Sequence, residues 1–315
     1  MDTIRICRAI IALSVVTTAL TACGEDTSSS AVPAAERVAA VTTGPAAGAL
    51  VVAGGNISDP AIVARFIELA GGPGASIVVV PTAAEGDVNN LDWDVLKPFR
   101  DSGATNLTVL HTRDPAKADT DVFVAPLKSA RGVWFTGGRQ WRIADSYLGT
   151  LAEEEFRAVL DRGGAIGGSS AGATIQGSYL ARGDTHTNTV MMGDHEQGFA
   201  YIKNVAIDQH VLVRNRQFDL IEIIEAHPEL LGLGIDENTA IVVTGNEFEV
   251  IGQGYVAVYD HDRIVGTNGQ FYFLVPGDRF DLKSRQPLRP DDDSEPFAVI
   301  RAGDWSSANG NDPND

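Results

Sequence analysis

The sequence predicts one α/β domain of three layers, a mostly parallel sheet with helices on both of its faces. Two patterns predict it. Short, continuous apolar runs recur along the first half of the chain, and amphipathic stretches of helical period separate them. After residue 232 a third pattern takes over, short runs divided by turn residues, which predicts antiparallel ribbons at one side of that sheet.

Ala49 to Ala53 is wholly apolar and ends in Gly54-Gly55, as a strand buried on both faces would. Asp59 then offers an N-cap and Pro60 suits a first helical turn. Ile62, Val63, Phe66, Ile67 and Leu69 supply one apolar face, and Gly71-Gly72 stop the helix. Ser76 to Val80, ended by Pro81, reads as the next strand and Asn90 to Arg100 as the next helix; Leu107 to His111 and Gly132 to Phe135 repeat the strand pattern. Strands and helices alternating in this way imply right-handed crossovers between parallel strands. Ligands of such folds gather at the carboxyl ends of the strands. That rule singles out Gly54-Gly55, Thr136 to Gln140, Gly167 to Gly172 and Asp208 to His210. The ribbons are expected at Ala240 to Thr244, Glu247 to Gly252, Tyr255 to Asp260 and Phe271 to Val275.

The first residues read as a targeting segment. Arg5 and Arg8 precede an apolar run, Ala9 to Leu20, that is too short for a stable membrane span, and the run ends at Leu20-Thr21-Ala22-Cys23. Small residues before a cysteine resemble a bacterial lipobox, so residues 1–22 are expected to be a lipoprotein signal peptide and Cys23 the lipid-bearing first residue of the mature chain. The protein is then expected outside the cytoplasm, anchored in the periplasm or at the cell surface. Residues 23–47, rich in Ser, Thr, Ala and Pro, read as a flexible tether; 48–303 as the domain; and 304–315, polar and Gly/Asn/Asp-rich, as a disordered tail.

The other cysteine of the chain, Cys7, lies in the segment to be removed, which leaves no pair for an internal disulfide and no cysteine-based zinc site or Cys-His couple in the domain. The formal net charge is −18, and loss of residues 1–22 removes Arg5, Arg8 and Asp2, making the mature chain one unit more negative. This excess opposes binding to nucleic acid. Membrane association is therefore assigned to the lipid at Cys23, and the sequence leaves room for a homodimer.

Chemistry concentrates at Gly168-Ser169-Ser170-Ala171-Gly172, a Gly-x-Ser-x-Gly pattern where an apolar strand runs into a helix through small residues only. That spacing suits a sharp elbow which holds the serine hydroxyl at a helix N-terminus, with the Ala171 amide free to meet a developing oxyanion. The same residues also suit a helix-initiating turn with Ser170 as N-cap. A serine nucleophile needs a base, and of the six histidines His210 has the most suggestive surroundings, just after the run Asn204 to Ile207 and before Arg214 and Arg216 on an expected helix.

Four ordered segments resemble the cyanophycinases and aspartyl dipeptidases, serine peptidases related in fold to class I glutamine amidotransferases. They are Phe135-Thr136-Gly137-Gly138-Arg139-Gln140, Gly168 to Ala173, Ile207-Asp208-Gln209-His210 with Arg214 and Arg216, and Gly234-Ile235-Asp236-Glu237-Asn238-Thr239-Ala240. The resemblance implies an acyl-enzyme formed at Ser170, with His210 as base and Glu237 orienting the imidazole, and Asp236 stands beside it as a rival orienter. It further implies an oxyanion hole from Gly138 and Ala171, and a substrate pocket lined by Gln140, Asp208, Gln209, Arg214 and Arg216. The expected enzyme is a hydrolase acting as an exopeptidase on aspartate-rich or β-aspartyl peptides, cyanophycin among them, without metal or organic cofactor. Two positions depart from the family pattern: Arg139 stands where an acidic residue follows the paired glycines, and Asp219 where a third arginine is expected. A catalytically silent surface lipoprotein that binds peptide or protein on the same scaffold is the rival reading, and a glutaminase-like amidase a third.

Overall fold

A computed structural model describes residues 43–86, 88, 94–263 and 269–288. The expected signal peptide, Cys23, most of the tether and the expected tail lie outside the described residues. Thr43 to Gly48, placed on the tether side of the boundary by composition, is docked on the domain: the Thr43 amide donates to Asn246 Oδ1 at 2.7 Å, its carbonyl accepts from Lys203, and Gly44 and Pro45 are buried.

In chain order the first elements are β1 (Ala49–Ala53), α1 (Pro60–Leu69), β2 (Ile77–Val80), α2 (Lys97–Asp101), β3 (Leu107–Val109), α3 (Pro115–Ala118), α4 (Asp121–Val124), β4 (Gly132–Phe135), α5 (Gln140–Tyr147), α6 (Leu151–Asp161), β5 (Ala165–Ser169) and α7 (Ala171–Thr174). There follow β6 (Gly177–Tyr179), β7 (Ile202–Gln209), α8 (Asp219–Ala226), β8 (Leu231–Ile235), β9 (Thr239–Thr244), β10 (Glu247–Gly252), β11 (Val256–Asp260), β12 (Tyr272–Leu274), β13 (Arg279–Asp281) and β14 (Gln286–Leu288).

α1 begins as its sequence dictates, with Asp59 Oδ1 accepting from the Ala61 amide at 2.8 Å and Pro60 in the first turn. Of the helix expected over residues 90–100, the described part starts only at Lys97. Pro98 in its first turn accounts for that start, because proline is tolerated there and not in a helix interior.

The main sheet runs β14-β13-β10-β9-β1-β5-β4-β2-β3. Strands β1, β5, β4, β2 and β3 pair in parallel, whereas β9, β10, β13 and β14 extend the sheet from β1 in antiparallel fashion. The sheet is thus mixed, with the ribbons built into it. Alternate residues of each parallel strand serve opposite faces. Val51, Ala53, Ile77 and Val79 meet α1 and α2 through Phe66 and Phe99, while Leu50, Val52, Val78, Val80 and Phe135 face a larger core with Tyr147 of α5 and Phe156 of α6.

A second sheet, β12-β11-β8-β7-β6, was not expected. Val205, Ile207, Leu233, Ile235, Val256 and Val258 turn toward the same large core, and α8 covers the other side through Leu220, Ile223 and Ile224. β7 and β8 pair in parallel, so His210 and Glu237 leave the carboxyl ends of adjacent strands. Among the described residues no helix is long and apolar enough to cross a membrane.

Candidate active site

β5 leads directly into Ser170, whose backbone takes φ 56° and ψ −114°, a region L-residues rarely occupy, before α7 begins. The turn closes this tightly because Gly168 and Gly172 lie back to back: a methyl on Gly168 would come within 2.2 Å of the Gly172 carbonyl oxygen. The Ser170 amide donates to Ala53 at the end of β1, at 3.0 Å, and its carbonyl accepts from Ala173 and Thr174. Ala171, the first helical residue, has an amide with no intrahelical acceptor, directed at the N-terminal end of α7.

His210 leaves β7 with φ 56°. Its amide donates to the Gly54 carbonyl at 3.2 Å, which ties the second sheet to the end of β1. The imidazole fills the space that Gly55 leaves open, since a Cβ there would lie 2.2 Å from Cε1. Nε2 stands 2.8 Å from Ser170 Oγ and Nδ1 stands 2.6 Å from Glu237 Oε1. With the carboxylate as acceptor, Nδ1 carries the proton and Nε2 receives the serine hydroxyl's hydrogen bond.

Asn56 completes the chain. Its side-chain amide donates to Glu237 Oε2 at 2.9 Å, so both carboxylate oxygens are fixed. Asn238 holds the adjoining loop, accepting from the Ser58 and Asp59 amides and donating its own amide to the Gly55 carbonyl. Asp236 is not the orienter: its Oδ1 accepts from the Leu212 and Val213 amides and pins the turn that follows His210. That turn replaces the expected helix. Arg214 N bonds to His210 O and Arg216 N to Val211 O, but Asn215 adopts φ 55° and α8 starts only at Asp219.

Burial lowers the His210 pKa, the Glu237 hydrogen bond raises it, and the charges of Arg214 and Arg216 lower it again, leaving it below the ordinary histidine value. For Glu237 burial works against the charge, yet the hydrogen bonds from Asn56 and His210 and the nearby cations outweigh it and hold the carboxyl below its usual range. The pair is therefore a neutral imidazole beside an ionised carboxylate at neutral pH, the state a general base requires.

The Thr136–Gly138 turn flanks the hydroxyl. A methyl on Gly137 would stand 3.7 Å from Ser170 Oγ, and Gly138, at φ 142°, lies under the Ala83 carbonyl. Of the expected pocket residues, Arg214 is exposed at the rim, and half-buried Arg216 is held by Gln209, whose carbonyl and Oε1 accept from Nη1 at 3.3 and 2.8 Å. Gln140 is buried and donates to the Ala181 and Arg182 carbonyls, so it secures the pocket wall.

Asp208, expected to contact substrate, is fully buried and takes both its bonds from Arg182, at 2.8 and 3.1 Å. Arg182 also pairs with Asp219, which gives the departure at position 219 a physical partner. Neither Asn56 nor Arg182 is conspicuous in the sequence. Asn56 after two glycines reads as an ordinary turn residue, and Arg182 lies between the motifs.

Asn56→Ala leaves Glu237 with one orienting partner, and the loss of a hydrogen bond to a charged group is expected to slow covalent labelling of Ser170 by a fluorophosphonate about tenfold. Arg182→Met strands the buried Asp208 carboxylate, and thermal or urea unfolding is expected to show a loss of about 3–5 kcal/mol.

The model of peptidase family S51 matches residues 46–251. A cyanophycinase of Geminocystis herdmanii (strain PCC 6308) is 30% identical over 245 residues, which cover 72% of this chain and 90% of that protein. A cyanophycinase of Synechococcus elongatus is 31% identical over 245 residues, 71% of this chain and 75% of that one. The crystal structure of a peptidase from an acI-B1 actinobacterium superposes with a TM-score of 0.60 at 22% identity, over 75% of this chain and 97% of that one, and shares the fold. On these grounds the chain belongs to peptidase family S51 and is a serine-type peptidase.

Proposed function

We propose that the chain hydrolyses aspartate-rich or β-aspartyl peptides through an acyl-enzyme at Ser170. The observation that carries the reading is the unbroken line of 2.8 and 2.6 Å contacts from Oγ through the imidazole to Glu237. Ser170 Oγ adds to the peptide carbonyl carbon while its proton passes to His210 Nε2. The resulting oxyanion is received by the Ala171 amide and by an amide of the Gly137-Gly138 turn. The C–N bond breaks as the imidazolium returns the proton to the leaving amine. Water then adds to the ester carbonyl, giving its proton to His210. The Oγ–C bond breaks, Ser170 recovers the proton, and the acyl group leaves as a free acid.

Arg214 at the rim supports an anionic residue beside the cut bond, since its guanidinium is exposed and suited to bidentate pairing with a carboxylate. The cyanophycinase relatives support the same substrate class, with cyanophycin itself as one member. The ordered basic, apolar and Leu-Thr-Ala-Cys segments support lipid attachment at Cys23 and an extracytoplasmic location, for which incorporation of labelled palmitate that Cys23→Ser abolishes is the test.

Purified protein is expected to react with a fluorophosphonate at Ser170, and to release free amines from α- or β-aspartyl dipeptides. Ser170→Ala should do neither. Wild-type protein that never labels would mark the chain as a binding module on a peptidase scaffold. In the pH profile of kcat/KM, the acid limb reports the imidazolium of the free enzyme. Because the Arg214 charge disfavours that imidazolium, Arg214→Gln is expected to move the limb to higher pH; an unmoved limb argues against this electrostatic coupling.

A further inference from the structure

Beside the Gly137-Gly138 turn, two guanidinium groups and the backbone amide of a third arginine meet on two adjacent backbone carbonyls. Arg142 Nη1 donates to Ala83 O at 3.1 Å and to Ala84 O at 3.0 Å, Arg113 Nη2 donates to Ala84 O, and the Arg139 amide donates to Ala83 O at 2.8 Å. The same Ala83 carbonyl presses on Gly138, so the cluster is built into the wall of the candidate site.

Its charge is poorly balanced. Glu85 reaches Arg142 at 3.9 Å with a side chain 77% exposed, and among the described residues neither Arg113 nor Arg139 forms an ion pair. Arg139 Nη1 is buried with no hydrogen-bond partner. An unsatisfied buried cationic donor is costly unless an acceptor joins it. In a chain of formal charge −18, three like charges brought together here oppose the general trend of the surface. Burial lowers the Arg142 pKa, and the Arg113 and Arg139 charges lower it further, so the three groups do act on one another.

Geometry also fixes how far the site lies from the reaction. Gly137 adjoins Ser170, and Arg139 follows two residues later, at most about 7.6 Å along the Cα trace. An arginine side chain is long enough to bring its guanidinium from there to a residue next to the cut bond.

We infer that Arg139, backed by Arg142 and Arg113, forms a subsite for a carboxylate of the peptide substrate, separate from the one offered by Arg214. This rests on the reading of Ser170 as nucleophile, and it narrows the substrate class to peptides with a second acidic group near the scissile bond. A guanidinium-bearing side chain is repelled from the same place, so cyanophycin, whose aspartate units carry arginine, is disfavoured relative to acidic peptides.

The test is protection of Ser170 from fluorophosphonate labelling by tri-glutamate and by tri-glutamine. Tri-glutamate is expected to protect at a concentration at least about tenfold lower than tri-glutamine, as loss of a charge-assisted hydrogen bond implies. Arg139→Gln should remove most of that difference, and Arg139→Lys should retain part of it. Equal protection by the two peptides, or a preference unchanged in Arg139→Gln, overturns the inference while Ser170 stays labelled and the nucleophile reading stands. Absence of labelling in the uncompeted wild type removes the nucleophile and this subsite together. Circular dichroism of the Arg139 variants, matching wild type, excludes misfolding as the cause of lost protection.

Discussion

The site depends on a close approach of two sheets at the ends of β1, β5 and β7. The Ala53 carbonyl accepts from Ser170, the Gly54 carbonyl from His210 and the Gly55 carbonyl from Asn238, so three successive residues at the end of β1 anchor Ser170, His210 and the loop that bears Glu237. The imidazole occupies the volume that a side chain at position 55 would take. Both Ser170 and His210 hold positive φ, which costs of order 1–3 kcal/mol each and persists only where surrounding bonds over-determine it. Here the surrounding bonds are backbone to backbone, and the reacting side chains inherit their precision from the sheets.

Around this frame the polar residues divide by what they touch. Asp208, Gln209, Gln140 and Arg182 spend their hydrogen bonds on one another, on Arg216 and Asp219, or on main chain. Arg214 and Arg139 keep polar atoms uncommitted. The Arg214 charge also lowers the His210 pKa, so the rim cation helps to keep the imidazole neutral. In the proposed reaction, a substrate carboxylate at Arg214 would offset that charge and make the imidazole more basic.

How much of this was legible follows from range. β1, β2 and β4 could be read because each is a continuous apolar run whose residues are all buried, and α1 because its cap, proline and apolar face are local. The second sheet could not be read: the β9–β10 and β11–β12 ribbons look alike in sequence, and only long-range pairing sends one to β1 and the other to β8. Ser170 stood out by its elbow, and His210 and Glu237 by resemblance to a family pattern. Asn56 lies 181 residues from the carboxylate it fixes, a partnership no local pattern announces. The helix expected at Arg214 ends after a single turn because Asn215 takes φ 55° and the Arg216 amide closes back on the Val211 carbonyl, while Asp236, another distant residue, caps the start of that turn.

Position 219 shows how such distant couplings limit substitution. Arg182 is buried against Asp208 and reaches Asp219 as well, so one guanidinium serves two carboxylates. An arginine at 219 would set a second cation against Arg182 with only Asp208 to share, and the buried Arg182 cannot turn to water to escape it. Residues 182 and 219 therefore constrain each other by charge. This chain carries a cation at 139 and an anion at 219 without disturbing the backbone bonds that hold Ser170 and His210, because those bonds run through β1 and these side-chain charges do not. Reaction geometry and charge preference are thus borne by different parts of the molecule, and the second can vary while the first stays fixed.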